Sequence, residues 1–170
     1  MHLNFEFKAK TNHLTEQENE LLTLHPKFIG EDHQIDTYFN CNNGRLKLRE
    51  GNIENALIQY NRADTATAKQ SDVTLYQTKD TSTLKALLTQ SNGIKVIVDK
   101  TRKIYFIENV KFHFDVVKDL GTFIEVEAID ADATIGIEKL QQQCDYYKAF
   151  FNIEQNDFIH CSYSDLLLNS

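Results

Sequence analysis

Residues 96–129 read VIVDKTRKIYFIENVKFHFDVVKDLGTFIEVEAI, and the alternation within them decides which kind of fold the chain can adopt. Successive side chains of an extended strand point to opposite faces, so Lys100 and Arg102 share one face of the first segment. After Asn109, Lys111, His113 and Asp115 lie opposite Val110, Phe112, Phe114 and Val116. A turn at Leu120-Gly121-Thr122 leads into F-I-E-V-E-A-I, where Glu125 and Glu127 stand on one side and Ile124, Val126 and Ala128 on the other. Like charges about 7 Å apart on a strand face repel, so a metal ion or a basic group is expected between them.

The same two-faced pattern runs through much of the chain. Leu3 to Lys10 alternates strictly, with Leu3, Phe5, Phe7 and Ala9 on one face and Asn4, Glu6, Lys8 and Lys10 on the other. Gln34 to Phe39 reads as a strand, Asn42-Asn43-Gly44 as a tight turn, and R-L-K-L-R-E as a strand with Arg45, Lys47 and Arg49 on one face. Ala56 to Asp64, where Tyr60 and Arg62 share a face, and Val73 to Thr78 add two more strands, separated by a polar loop at Thr65 to Ser71. Helical spacing predicts a helix over Leu14 to Leu24, with Thr15 as N-cap and Glu18 as its capping-box partner, stopped before Pro26. Further helices are expected over Thr81 to Gln90, with Leu84, Leu87 and Leu88 buried, and over about Thr134 to Phe151. The latter carries a core stripe of Ile137, Leu140, Cys144, Tyr147 and Phe151, and a shorter helix is expected at Tyr163 to Leu168.

Composition bounds the function. A chain of 170 residues suits one domain, and its net charge of −7 disfavours a phosphate-tracking nucleic-acid surface. No apolar run approaches a membrane span and the N-terminus shows no signal-peptide pattern, so a cytoplasmic protein without membrane contact is expected. Cys41, Cys144 and Cys161 are odd in number and far apart, which argues against a disulfide framework and a structural zinc site.

About eight strands thus carry one apolar and one ionic face, and helices can cover only the apolar one. An open sheet would leave the ionic face in water with cross-strand Lys–Glu partners; a closed barrel would turn it into a charged lumen. Near-uniform Lys and Arg on some strands and carboxylates on others favour the lumen.

Six segments in order resemble the CYTH superfamily, the triphosphate tunnel metalloenzymes that include class IV adenylyl cyclases and thiamine triphosphatases. They are N-F-E-F-K-A-K (4–10), Q-I-D-T-Y-F (34–39), G-R-L-K-L-R-E (44–50), L-I-Q-Y-N-R-A-D (57–64), D-K-T-R-K-I-Y-F (99–106) and F-H-F-D-V-V-K-D-L-G-T-F-I-E-V-E (112–127). The resemblance covers nearly the whole chain and implies a single α+β domain over residues 1–170, an eight-stranded antiparallel β-barrel tunnel with flanking helices. It implies that Lys8, Lys47, Arg49, Arg62, Lys100 and Arg102 bind the phosphates. Glu6, Asp115, Glu125 and Glu127 would hold Mg²⁺ or Mn²⁺, and Glu127, Lys100 and Arg102 would carry catalysis. The family's opening E-x-E-x-K appears here as Asn4, Glu6 and Lys8, so Asn4 offers a neutral oxygen where a carboxylate is usual, and metal affinity should fall or a second metal bind more weakly.

The implied activity is that of a metal-dependent enzyme converting ATP to cyclic AMP and pyrophosphate. The alternatives are hydrolysis of thiamine triphosphate or inorganic tripolyphosphate, and a non-catalytic module that binds nucleotide or polyphosphate. A monomer or homodimer is expected. His113 shares a strand face with Asp115 and reads as its neighbour, with a general base as the sharper alternative; Tyr38, Tyr60 and Tyr105 read as sheet packing.

Overall fold

The computed structural model describes residues 3–62 and 71–170, without the side chains of Arg62, Ser71 and Asp72. The expected loop at 65–71, the end of the expected strand at Ala63 and Asp64, and the Arg62 side chain lie outside the described residues.

Among the described residues eight strands form: β1 (Leu3–Lys10), β2 (Lys27–Phe39), β3 (Arg45–Glu50), β4 (Ala56–Arg62), β5 (Ser71–Gln77), β6 (Ile94–Ile107), β7 (Val110–Val117) and β8 (Gly121–Asp130). They make one antiparallel sheet in the order β1-β8-β7-β6-β2-β3-β4-β5. Backbone pairing ends at β1 and β5, but the sheet curls so far that Glu6 and Lys8 of β1 and Val73 of β5 line one cavity. The ionic face is the inner one.

Among the described residues four α-helices flank this sheet: α1 (Leu14–Leu22), α2 (Thr81–Asn92), α3 (Ile137–Phe150) and α4 (Tyr163–Leu168). The outer apolar face is buried under α1 and α3, where Phe5, Phe7, Phe112, Phe114, Ile124 and Val126 meet Leu21, Leu140, Cys144, Tyr147 and Phe151. Phe112 packs edge-to-face on Tyr147 with ring centroids 4.7 Å apart, a geometry aromatic quadrupoles favour. A second cluster puts Leu88 and Leu84 of α2 against Phe39, Leu48 and Leu57. Asp130 launches α3 by accepting the backbone N–H groups of Thr134, Ile135 and Gly136.

The structure departs from the sequence reading at the helix ends. The N-cap of α1 is His13 without a side-chain cap, because Glu18 instead reaches Lys103 Nζ at 3.0 Å and the Tyr105 hydroxyl at 2.6 Å. Leu87 is 58% exposed, since the face of α2 turned to the sheet is the one that carries Leu84 and Leu88. Ile137 is exposed at the start of α3, which begins three residues later than expected and first meets the core at Leu140. β2 begins at Lys27 rather than Gln34, as its first half pairs with β6 through a bulge between Phe28 and Gly30. Gly44 has φ 65° in the β2–β3 turn, and a Cβ there would lie 2.5 Å from the Tyr60 carbonyl oxygen. Only glycine fits without a shift. Among the described residues no helix is long and apolar enough to cross a membrane.

Candidate active site

Strand alternation places the polar side chains of β1, β2, β3, β6 and β8 on the concave face, and pairing register stacks them in layers along the bore. Toward one end, Tyr38, Tyr60, Val98, Val117 and Phe123 pack against α4 through Tyr163, Leu166 and Leu167. The middle holds Lys8, Lys47, Arg49, Lys100 and Arg102 around a cavity of about 180 Å³. Glu6 and Glu127, directly opposite each other in register, line the same cavity beside Asn4. An adjoining chamber of about 650 Å³ shares Asn4, Arg49, Arg102, Glu125 and Glu127 and is walled by Ile53, Ile58, Val73 and Leu75.

The cations are organised by two buried carboxylates. Asp36 accepts Arg49 Nε at 2.8 Å and Nη2 at 2.9 Å, Lys100 Nζ at 2.9 Å and Lys47 Nζ at 3.0 Å. Burial would raise the Asp36 pKa, but Arg49, Lys100 and Lys47 outweigh it and hold the carboxyl well below the usual range. Asp115 accepts Arg102 Nε at 2.7 Å and Nη2 at 2.6 Å, and Arg102 also donates to Glu125 Oε2 at 3.1 Å. Fork geometry of this kind fixes the plane of a guanidinium as well as its charge. Arg49 further donates to Glu54 at 2.8 Å, and Lys111 to the same carboxylate at 2.8 Å, at the chamber end.

Two groups are poised near neutrality. Burial, only partly offset by Asp36 and reinforced by Arg49 and Arg102, brings Lys100 down to about 7. Burial, then the nearby Glu6 and Glu125, pushes Glu127 up to about 7. Glu125 moves the other way: burial would raise it, but Lys8, His113 and Arg102 hold it well below the usual carboxylate range. The repulsion expected between Glu125 and Glu127 is thus met by Lys8, which is paired with Glu125 in register, and by Arg102. His113 is pushed down to about 4 by burial and by Arg102, so it is a neutral imidazole at pH 7, with Nδ1 3.5 Å from Glu125.

Does this donor set suit a divalent cation? Among the described residues no three His, Cys, Asp or Glu side chains are grouped to hold an ion on their own. Asn4 Nδ2 donates to Glu127 Oε1, which leaves Asn4 Oδ1 as a buried acceptor with no partner. A carboxylate pair plus an unpartnered amide oxygen fits a hard cation that completes its shell with water and phosphate oxygens, as Mg²⁺ usually does.

Of the residues singled out from the sequence, Lys8, Lys47, Arg49, Lys100, Arg102, Asn4, Glu6, Glu125 and Glu127 line one cavity. Asp115 sits behind it, fully buried, with its oxygens turned to Arg102 and to the Tyr163 hydroxyl at 2.6 Å. Arg45 reaches α4, donating to Asp165 at 2.7 Å, and His33 pairs with Asp99 at 2.7 Å. Tyr38 and Tyr60 face the bore with hydroxyls 3.5 Å apart, whereas Tyr105 packs under α1. Sequence reasoning passed over Asp36, although it shares a strand face with Tyr38 in the 34–39 segment. It also passed over Glu54, which lies in an irregular loop where no periodicity marks a face, and Tyr163, read only as the start of a short helix.

A CYTH domain model matches residues 2–157. The chain belongs to the CYTH family. CYTH is a triphosphate tunnel metalloenzyme family whose members bind triphosphate substrates and include adenylyl cyclases and triphosphatases. The fold is shared with a Pyrococcus horikoshii protein, at TM-score 0.84 and 20% identity over 96% of this chain and 98% of that one. A candidate adenylate cyclase of Vibrio parahaemolyticus is similar at TM-score 0.74 and 18% identity, with 98% of each chain covered. A candidate adenylyl cyclase of Hippeastrum, described as having a dominant triphosphatase activity, aligns at TM-score 0.68 and 10% identity over 99% of this chain and 94% of that one. A search of curated proteins found no match.

Proposed function

We propose that this CYTH protein is a metal-dependent enzyme that holds an organic triphosphate in the bore and, like class IV adenylyl cyclases, converts ATP to cyclic AMP and pyrophosphate. The observation that carries this reading is the convergence of Lys8, Lys47, Arg49, Lys100 and Arg102 on one cavity with Glu6 and Glu127 at its edge. A triphosphate carries about four negative charges near neutral pH, and charge-assisted bonds from Arg and Lys match that load.

Glu6, Glu127 and Asn4 Oδ1 would hold Mg²⁺ or Mn²⁺, which when bound neutralises and polarises the phosphate oxygens. Arg102, locked by Asp115, presents its remaining donors in a fixed plane, and Arg49 is likewise oriented by Asp36. As the ribose 3′-hydroxyl loses its proton to water and its oxygen bonds to the α-phosphorus, the bond from that phosphorus to the departing pyrophosphate breaks, and Lys100 Nζ, beside Arg49 and Arg102, would meet the charge the pyrophosphate carries away. The chamber walled by Ile53, Ile58, Val73 and Leu75 has room for the non-phosphate part of the substrate.

The test is to incubate the protein with Mg²⁺ or Mn²⁺ and ATP, thiamine triphosphate or tripolyphosphate, then resolve cyclic AMP, pyrophosphate and orthophosphate. Cyclic AMP with pyrophosphate is the expected result. Orthophosphate instead would make the protein a triphosphatase, and no product from any triphosphate would overturn the enzymatic reading. Glu127→Gln should lower turnover about 100-fold or more, because a metal ligand supports several kcal/mol of charge stabilisation and each 1.36 kcal/mol is tenfold.

Asn4 favours a second reading, a site that binds triphosphate without turnover. Asn4→Glu should lower the Mg²⁺ concentration giving half-maximal activity, by adding the carboxylate usual in the family. Turnover found in the variant and not in the wild type would establish the non-catalytic reading.

A further inference from the structure

Helix α4 lies beyond the residues matched by the family model, yet it reaches the centre of the bore. Its first residue, Tyr163, is 4% exposed and lines the phosphate-sized cavity. The ring lies 4.0 Å beneath Lys8 Nζ and 5.9 Å from Lys100 Nζ, within cation–π range of both. The hydroxyl donates to Asp115 Oδ2 at 2.6 Å, on the carboxylate that forks Arg102. One aromatic side chain therefore touches two of the bore's cations directly and a third through one carboxylate.

The helix is well anchored. A capping box joins Ser162 and Asp165, Asp165 accepts Arg45, and Leu166 and Leu167 pack beside Tyr38, Val98, Val117 and Phe123. That apolar cluster packs around Tyr163, while the larger chamber meets the cavity through Asn4, Arg49, Arg102, Glu125 and Glu127.

Resting on the triphosphate reading, we propose that Tyr163 is the floor of the phosphate site: a positioning residue that sets Lys8, Lys100 and Arg102 around the deepest phosphate of a chain threaded in from the chamber. The terminal phosphate then lies against Tyr163 and the organic group remains in the chamber. A diphosphate with the same organic group cannot reach the floor cations while that group keeps its place.

The experiment is calorimetric titration of the full-length wild type, Tyr163→Phe and Tyr163→Leu with ATP, ADP and inorganic tripolyphosphate in Mg²⁺, with thermal melting as a folding check. Tyr163→Phe keeps the ring and loses only the Asp115 bond, so ATP and tripolyphosphate should weaken about 5-fold, roughly the effect of one net hydrogen bond. Tyr163→Leu loses both contacts and should weaken them about 50-fold, by adding the cation–π contribution to that of the hydrogen bond. ADP affinity should change less than 2-fold in either variant, so that the preference for ATP over ADP collapses. General loosening of the bore would weaken ADP as much as ATP, and that result, or unchanged ATP binding in a folded Tyr163→Leu, would overturn the inference alone. Failure of the wild type to bind either ATP or tripolyphosphate would overturn the triphosphate reading and this inference together.

Discussion

Asp36→Asn is expected to lower the free energy of unfolding by about 3–5 kcal/mol, the usual consequence of removing one partner from a buried ion cluster. Asp36 is 1% exposed and is the shared acceptor of Arg49, Lys47 and Lys100. Without it, three cations face one another in a space from which bulk water is largely excluded. Lys100 can relieve part of the strain by releasing its proton, because Asp36 is the main influence holding its pKa up against burial. Arg49 cannot discharge. The loss should therefore fall toward the lower end of the range.

The same variant has a second signature. Asp36 occupies the bore as a resident anion, satisfying the cations proposed to receive phosphate. A ligand that binds only the folded state stabilises it by RT ln(1 + L/Kd), where L is its free concentration, and so by more the tighter it binds; tripolyphosphate should therefore raise the melting temperature of Asp36→Asn by more than it raises that of the wild type. Chemical denaturation and melting with and without tripolyphosphate measure both effects. An equal shift in the two proteins would show that Asp36 does not stand in for the ligand.

The second large effect is expected at Arg102. Arg102→Ala should weaken triphosphate binding by about 1.5–3 kcal/mol, the range for a hydrogen bond to a charged group. It should also destabilise the fold by about 3–5 kcal/mol, because Asp115, at 0% exposed, loses both of its arginine bonds. The two losses separate in a double variant. Adding Asp115→Asn removes the stranded charge and should recover much of the stability, while binding stays weak because the guanidinium is still missing. If binding recovered along with stability, Arg102 would be a structural residue and not a phosphate ligand. Calorimetry and urea denaturation on the same samples decide the matter.

The alternating segments were legible because a strand has a period of two, so each residue's face is set by its parity alone. Parity put Lys8, Lys47, Arg49, Lys100, Arg102, Glu125 and Glu127 on polar strand faces, the family resemblance singled them out, and they fall together around one cavity. Helix ends were less legible: the Thr15 and Glu18 pattern has the form of a capping box, but Glu18 gains more from Lys103 and Tyr105 on a neighbouring strand. Exposure of Leu87 and Ile137 likewise depends on how each helix is rotated and where it starts on the sheet, since Leu88 and Leu140 beside them are buried.

Parity along the chain, then, was enough to establish about eight strands with one apolar and one ionic face, since that depends on neighbours within a few residues, while the resemblance to CYTH proteins supplied the closed tunnel and the choice of site residues. Which carboxylate meets which cation depended on curvature and register, because partners such as Asp36 and Lys100, or Tyr163 and Asp115, are 64 and 48 residues apart and meet only when the sheet closes around them. Electrostatic energy depends on distance and burial, and both quantities come into being with the folded bore.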